Sequence, residues 1–317
     1  MRVAPLSRFP LAFAAAVLAA VAPPRASAQT RQDAPSAPRV SAEPARPAQG
    51  TLFAVVVRPA RATDSVVAAR GRAAGEPLHF ERADSGALRA FAAAPLGTTG
   101  TLRVTVVAAR LDGRVDTLAL DVPVAPGAYE VEKLRVAPQF GTKPDSALQA
   151  RIDLEYERAQ ATGSLSHETP RLWRQPFARP RPGRVTSGFG RAREFNGQVQ
   201  SRHTGTDFAG AVGEPVYAAN RGVVAIVDQF FLGGNVIYVD HGAGLVTAYL
   251  HLSRAEVAPG DTVARGQVIG RVGATGRVTG PHLHFIARYG GVSVDPLTLP
   301  GMRAAVGDTA ARAAVKR

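Results

Sequence analysis

Four histidines and an aspartate in the last third of the 317-residue chain have the types and spacing of a metal site with one position left open. They lie in three short stretches: His203-Thr-Gly-Thr-Asp207, Tyr249-Leu-His251 and Gly280-Pro-His282-Leu-His284-Phe285. Most of the chain's 7 histidines fall in this region. Side chains at i and i+2 of a strand share a face, so an extended segment puts His282 beside His284 and sends Leu283 to the opposite, buried face. The same rule aligns His203, Gly205 and Asp207 if that segment is extended, which Gly205 favours over helix. Two imidazoles and a carboxylate are a usual ligand set for catalytic zinc, whose fourth position takes water.

If His203, Asp207 and His284 bind zinc, two neutral imidazoles and one carboxylate leave the site with a net charge of about +1, enough to acidify a bound water and polarise a carbonyl. The H-E-x-x-H motif is absent, so no neighbouring glutamate offers itself as general base. His251 and His282 are the natural substitutes. His282 shares the face of His284, and a regular strand puts His251 on the face of Tyr249, Thr247 and Leu245. A histidine with a pKa of about 6.5 can take a proton from water or steady a developing oxyanion near neutral pH. The other histidines carry no such pattern: His79 reads as a strand residue, His167 as a loop residue and His241 as part of a hairpin turn.

The elements that must position these residues are short strands. Hydrophobic residues make up 45% of the chain, enough for two cores at this length. Residues 1–28 read as a signal peptide, with Arg2 and Arg8 at a basic start, an apolar run from Leu11 to Val21, and Ala26-Ser27-Ala28 as the cleavage site. Pro23, Pro24 and Arg25 stop the run well short of the ~20 residues of a membrane span. The expected mature protein is therefore exported, periplasmic or secreted, with no transmembrane segment. Residues 29–50, rich in Ala, Pro, Ser and Arg, read as a flexible linker.

Short strand-like runs then recur about every dozen residues from Leu52 to Val124, separated by Gly, Pro or Asp, which predicts an immunoglobulin-like antiparallel β-sandwich over 51–125. A helical connector is expected in 126–175, with a helix over Pro144–Gly163 that has Ser146 and Gln149 as a capping box and an apolar stripe of Leu148, Ile152, Tyr156 and Ala159. Residues 176–300 return to strands and tight turns, a small antiparallel sheet or barrel, and 301–317 form a basic tail. The fold class predicted is all-β, with the connecting helix as the exception.

The chain has no cysteine, which excludes disulfides, thiolate zinc ligands and a cysteine nucleophile. Removing residues 1–28 takes away three arginines and no acid, lowering the net charge from +13 to +10. An excess of this size favours an anionic partner, and export together with the lack of a helix-turn-helix or zinc-finger pattern argues against nucleic acid.

The segments HTGTDFAG, GNVIYVDHGAGLVTAYLHLS, VAPGDTVARGQVIGRVGATG and TGPHLHF resemble the lysostaphin-type, or LytM-domain, zinc endopeptidases of bacterial cell walls. The resemblance covers roughly Pro176 to Leu299. It implies a small all-β catalytic domain with a groove over an antiparallel sheet, and hydrolysis of peptide bonds in peptidoglycan. By the same resemblance His203, Asp207 and His284 correspond to the ligands of one Zn2+ per chain, and His251 and His282 to the catalytic pair. Its partners would be peptidoglycan and proteins of cell division or wall synthesis. One departure is that Arg191 to Arg202 lacks the tyrosine that some members place upstream of the first ligand. The main rival is a catalytically silent member that binds and activates other wall hydrolases, but such proteins are expected to lack a ligand, and here all five positions are filled. A biotinyl- or lipoyl-type carrier fails because no lysine lies between Lys143 and Lys316. In a passive wall-binding module a structural zinc would take its fourth ligand from the protein, and no fourth ligand is evident.

Overall fold

The computed structural model describes residues 37–301 apart from 62–63, 84–85, 128, 130, 135–143 and 196–197, so the expected signal peptide and basic tail lie outside the described residues. Alternating apolar and polar residues write the front half as strands: in Thr101–Arg110, Val104, Val106 and Ala108 are buried while their neighbours are more exposed. Eight strands form there: β1 (Arg39–Glu43), β2 (Leu52–Arg58), β3 (Val66–Ala73), β4 (Glu76–His79), β5 (Glu81–Arg82), β6 (Leu88–Ala93), β7 (Thr101–Arg110) and β8 (Val115–Pro123). They build two antiparallel sheets, ordered β1-β2-β6-β5 and β4-β3-β7-β8. Val55, Val57 and Ala90 of the first share one core with Val104, Val106 and Ala108 of the second. This is the four-against-three immunoglobulin arrangement with β4 added at the edge of the second sheet.

β1 corrects the expectation of a flexible linker over 29–50. It pairs antiparallel with β2, Arg39 opposite Arg58 through Glu43 opposite Ala54, and packs Val40 and Ala42 on the sandwich core. A strand of five residues between Pro38 and Pro44 is too short to stand out by periodicity in an Ala/Pro-rich stretch; the waiting edge of β2 creates it.

The connector is also not purely helical. β9 (Val131–Leu134) runs parallel to β11 (Ala192–Phe195), which forms a hairpin with β12 (Gln198–Arg202) immediately ahead of His203. The helix, α1, spans Ser146–Ser166, and its N-cap is Asp145, whose side chain accepts from the Leu148 N–H at 2.8 Å, in place of the expected Ser146–Gln149 box. The predicted stripe is likewise corrected, since Tyr156 is 60% exposed and the buried face is Ala159, Thr162, Gly163 and Ser166. A Cβ at Gly163 would collide with the Gly290 carbonyl oxygen. Gly163 thus permits close approach to the sheet and does not end the helix.

The back half is one ten-stranded antiparallel sheet. Its strands are β10 (Val185–Ser187), β13 (Thr206–Ala209), β14 (Pro215–Tyr217), β15 (Gly222–Phe230), β16 (Gly234–Gly242), β17 (Leu245–Ala255), β18 (Thr262–Val263), β19 (Val268–Val272), β20 (His282–Tyr289) and β21 (Val292–Val294). The main path is β10-β13-β20-β17-β16-β15-β18, with β14 and β19 branching from β17 and β21 pairing with β20. β17 is apolar on both faces because both are covered. Leu245 and Tyr249 join a large core with Trp173 and Phe285, while Val246, Ala248 and Leu250 form a second core with Ala159 of α1.

The sandwich adjoins this sheet through Phe91 and Ala93, which belong to the large core with Trp173 and Tyr289. His167, expected to be an uninvolved loop residue, caps α1 and links the two halves. Its Nδ1 lies 2.8 Å from His79 Nε2 and its Nε2 2.9 Å from Glu76 Oε2. Among the described residues no helix is long and apolar enough to cross a membrane.

Candidate metal centre

β13 and β20 run antiparallel with Asp207 directly opposite His284, and β20 pairs on its other side with β17, Leu250 opposite His284. The i, i+2 reading of β20 matches the structure: Leu283 is fully buried in the large core, and His282 and His284 look the other way. His203 lies outside any strand, in the turn between β12 and β13, so His203 to Asp207 is not the single extended run expected. The turn is tightened by backbone hydrogen bonds from Gly190 N–H to the His203 carbonyl, 2.7 Å, and from His203 N–H to the Arg191 carbonyl, 2.7 Å.

Three donor atoms meet at one point. His203 Nε2 is 3.0 Å from Asp207 Oδ1 and 2.9 Å from His284 Nδ1, and His284 Nδ1 is 2.6 Å from Asp207 Oδ1. All three side chains are buried, and the two imidazoles stack with centroids 4.8 Å apart. The other nitrogen of His203, Nδ1, donates to the Gly188 carbonyl at 2.8 Å, with Ser187 Oγ 3.1 Å away. That bond fixes the tautomer and turns a lone pair on Nε2 toward the carboxylate. Acceptors facing one another at these separations require either extra protons or one cation between them. Ligand atoms of a tetrahedral ion bound at ~2.0–2.1 Å stand about 3.3 Å apart, so the three donors, at 2.6–3.0 Å, would spread slightly to hold one, and two imidazoles with a carboxylate suit zinc. Burial alone would push the Asp207 carboxyl up; were the two imidazoles protonated and no cation bound, the charge on His284 and the hydrogen bonds from His203 and His284 would outweigh it and hold Asp207 far below the usual carboxylate range.

His251 and His282 stand beside this group, ring centroids 5.0 Å apart, with His251 5.8 Å from His284. Each is oriented by a backbone carbonyl: His251 Nδ1 donates to Thr275 O at 2.8 Å and His282 Nδ1 to Gly280 O at 2.8 Å. Each Nε2 is the ring nitrogen not so engaged, and that of His282 lies 3.8 Å from Asp207 Oδ1. Burial, reinforced by like charge on His284 and His282, holds the pKa of His251 well below its ordinary value.

The face of His251 departs from the regular-strand expectation. Tyr249 and Leu245 point into the large core, and a regular strand would send His251 there too. Instead His251 has φ +62°, the strand bulges between Tyr249 and Leu252, and the alternation shifts by one, so that Leu252 rather than His251 enters the core. Left-handed backbone at a residue with a side chain costs energy and concentrates at functional sites. The bulge is held by the His251 N–H to the Gly233 carbonyl, 2.8 Å, and by Thr275, whose hydroxyl donates to Leu252 O and accepts from Asn235 N–H, both at 2.9 Å.

A cleft of about 170 Å³ opens over the group, with His203, His251 and His284 along it and Leu232, Leu250 and Ile286 as an apolar wall. Arg202 and Arg277 complete the lining. Sequence reasoning missed these arginines and the orienting roles of Gly188, Thr275 and Gly280; the only available signal was adjacency, Arg202 preceding His203 and Gly280 preceding Pro281-His282. His241, expected in a turn, ends β16 fully buried. Its Nδ1 is 2.8 Å from Arg221 O and its Nε2 2.8 Å from Thr247 Oγ1, away from the metal-type group.

Residues 201–296 match the model of Peptidase family M23. Peptidoglycan DD-endopeptidase ShyC of Vibrio cholerae is 39% identical over 142 residues, 44% of this chain and 33% of the relative. DD-carboxypeptidase/endopeptidase Mpg of Neisseria meningitidis serogroup B is 40% identical over 136 residues, 42% of this chain and 31% of the relative. The chain thus spans about a third of the length of these relatives. A Pseudomonas aeruginosa crystal structure whose name places it with peptidase M23 is 25% identical, with a TM-score of 0.59, over 81% of this chain and 96% of that one. The likeness therefore extends well beyond residues 201–296 into the front half.

Proposed function

We propose, from the match of residues 201–296 to Peptidase family M23, that the chain is a zinc-dependent endopeptidase that hydrolyses peptide cross-links of bacterial peptidoglycan. The observation that carries this reading is the convergence of His203 Nε2, Asp207 Oδ1 and His284 Nδ1 beside two more histidines whose Nδ1 protons are tied to backbone carbonyls. His203, Asp207 and His284 would hold the zinc, which when bound acidifies a water and polarises the scissile carbonyl. His251, kept neutral by burial, accepts the proton of the attacking water at Nε2. His282 serves the opposite end of the reaction: protonated at Nε2, it donates to the developing oxyanion and then to the leaving amine. The hydrogen bonds that the two Nδ1–H groups donate to Thr275 O and Gly280 O hold both rings in place, so that little orientation is lost on reaching the transition state.

The names of ShyC and Mpg support a DD-type cross-link as the bond cut. Such a substrate places the protein outside the cytoplasm, in keeping with the signal peptide read at residues 1–28, and it carries carboxylates that the excess of basic residues would attract. A silent activator of other hydrolases is the weaker reading, because all five chemical positions are present and oriented. The test is digestion of purified sacculi by the mature, zinc-loaded protein, with mass spectrometry of the released muropeptides. Loss of cross-linked dimers, blocked by a chelator and restored by zinc, is the expected result; unchanged dimers with folded, zinc-loaded protein would overturn the proposal.

A further inference from the structure

Asn235 stands near the start of β16, outside the lining of the cleft, and the proton-transfer scheme does not use its side chain. Opposite it β17 carries one residue too many. Asn235 pairs with Leu252 and Ile237 with Tyr249, so Leu250 and His251 together face the single residue Val236. A one-residue shift of this kind exchanges the faces of the side chains beyond it. The Leu252 carbonyl lies just past the shift and accepts two side-chain hydrogen bonds, from the Asn235 carboxamide at 2.9 Å and from the Thr275 hydroxyl at 2.9 Å. The carboxamide nitrogen also reaches the Ser253 carbonyl at 3.3 Å, and the Asn235 N–H donates to the Thr275 hydroxyl at 2.9 Å. Asn235 and Thr275 thus hold each other and both grip the backbone that follows His251. Two glycines let the grip close: a Cβ at Gly234 would collide with Thr275, and one at Gly273 with the backbone of Leu252 and Ser253. The φ of +62° at His251 persists only where its surroundings over-determine it, and this clip is the part of those surroundings made by side chains.

Resting on the hydrolase reading, we propose that the Asn235 carboxamide and the Thr275 hydroxyl are positioning groups for catalysis: by fixing the Leu252 carbonyl they set the phase of β17, so that residue 251 and not residue 252 faces the cleft. Neither residue lines the cleft, so both act through His251. In a regular β17 the His251 ring would enter the large core and Leu252 would face the cleft, and no imidazole of this strand would stand beside the three metal-type ligands. The Thr275 carbonyl that accepts from His251 Nδ1–H belongs to the same residue as the hydroxyl in the clip, so the bulge and the direction of the ring are set together.

The test compares full-length, zinc-loaded variants on a soluble cross-linked muropeptide dimer. Thr275→Val keeps the shape of the side chain without the hydroxyl. It should lower kcat about hundredfold, the loss that a misplacement of ~1 Å can cause, with KM nearly unchanged and a full zinc complement. Asn235→Ala should show the same split at about tenfold, and Thr275→Ser, which retains the hydroxyl, should keep kcat close to wild type. In a His251→Ala background there is no ring to place, so Thr275→Val should cost less than about twofold more. Normal kcat in Thr275→Val, a loss confined to KM or to zinc content, or an undiminished loss in the His251→Ala background would overturn the proposal. If zinc-loaded wild type cuts no dimer, the hydrolase reading fails on its own, and NMR of histidine-labelled protein decides the clip. Cα and Cβ shifts of left-handed backbone at His251 and a slowly exchanging Nδ1 proton should be present in wild type and Thr275→Ser and lost in Thr275→Val; their survival in Thr275→Val refutes the clip. Should Thr275→Val not fold, by melting and zinc content, Asn235→Ala and Asn235→Asp, which removes the carboxamide donor, carry the same comparisons.

Discussion

Gly205 is the most informative single substitution outside the chemical groups themselves. A methyl group there would lie 2.7 Å from His284 Cε1, 3.0 Å from His284 Nε2 and 2.5 Å from the Phe285 carbonyl oxygen. Ordinary contact begins near 3.4 Å, so the His284 ring must retreat by about 0.7 Å. The carbonyl cannot share that movement, because Phe285 lies opposite Thr206 where β20 pairs with β13. A donor atom displaced by this amount no longer meets a zinc ion bound at ~2.0–2.1 Å, and orienting groups around metal sites typically contribute ~10–100-fold to affinity. We expect Gly205→Ala to weaken zinc binding by about that factor, with overpacking costing the apo protein ~1–3 kcal/mol. Chelator competition gives the affinity, and urea unfolding with and without zinc gives the stability. In a His284→Ala background the ring is gone, so Gly205→Ala should destabilise the apo protein measurably less, a coupling that a double-mutant cycle resolves. Zinc affinity within twofold of wild type would show that the 203–207 turn yields freely and that space at Gly205 does not position His284.

His284→Ala should lower zinc content sharply, and a full complement by metal analysis would remove His284 from the site. His251→Ala and His282→Ala should retain zinc and fold yet lose ~10²–10⁴-fold in hydrolysis of sacculi, whereas near-normal turnover would refute the histidine-pair mechanism. Burial depresses His241 from 6.5 to about 4, so its contribution is intact above pH 6.5 and is lost as pH falls toward 4, amounting to roughly 3 kcal/mol at the acid end. Unfolding midpoints of His241→Gln against wild type at pH 7 and pH 4 measure it, and a difference that does not change with pH would contradict it.

Much of the site was legible in one dimension because strand periodicity is local. His282-Leu283-His284 needs only φ/ψ of a strand to put two imidazoles together and Leu283 in the core, and the structure does this. The sandwich strands were equally readable, since the alternation in β7 is complete within ten residues. What the sequence could not contain is where that rule breaks. His251 faces the cleft only because φ +62° and a bulge shift β17 by one, and that bulge exists because Gly233 and Thr275, distant in sequence, supply its hydrogen bonds. The buried face of α1 shows the same limit. Apolar spacing selected Leu148, Ile152, Tyr156 and Ala159, but of these only Ala159 is buried, and the sheet beneath accepts Gly163 and Ser166 beside it, because close approach of two backbones favours small side chains. Residue types and short-range spacing determined which groups could do chemistry here; which way His251 turns, why Gly205 must lack a side chain and which arginines enter the cleft depend on segments brought together only in the folded chain.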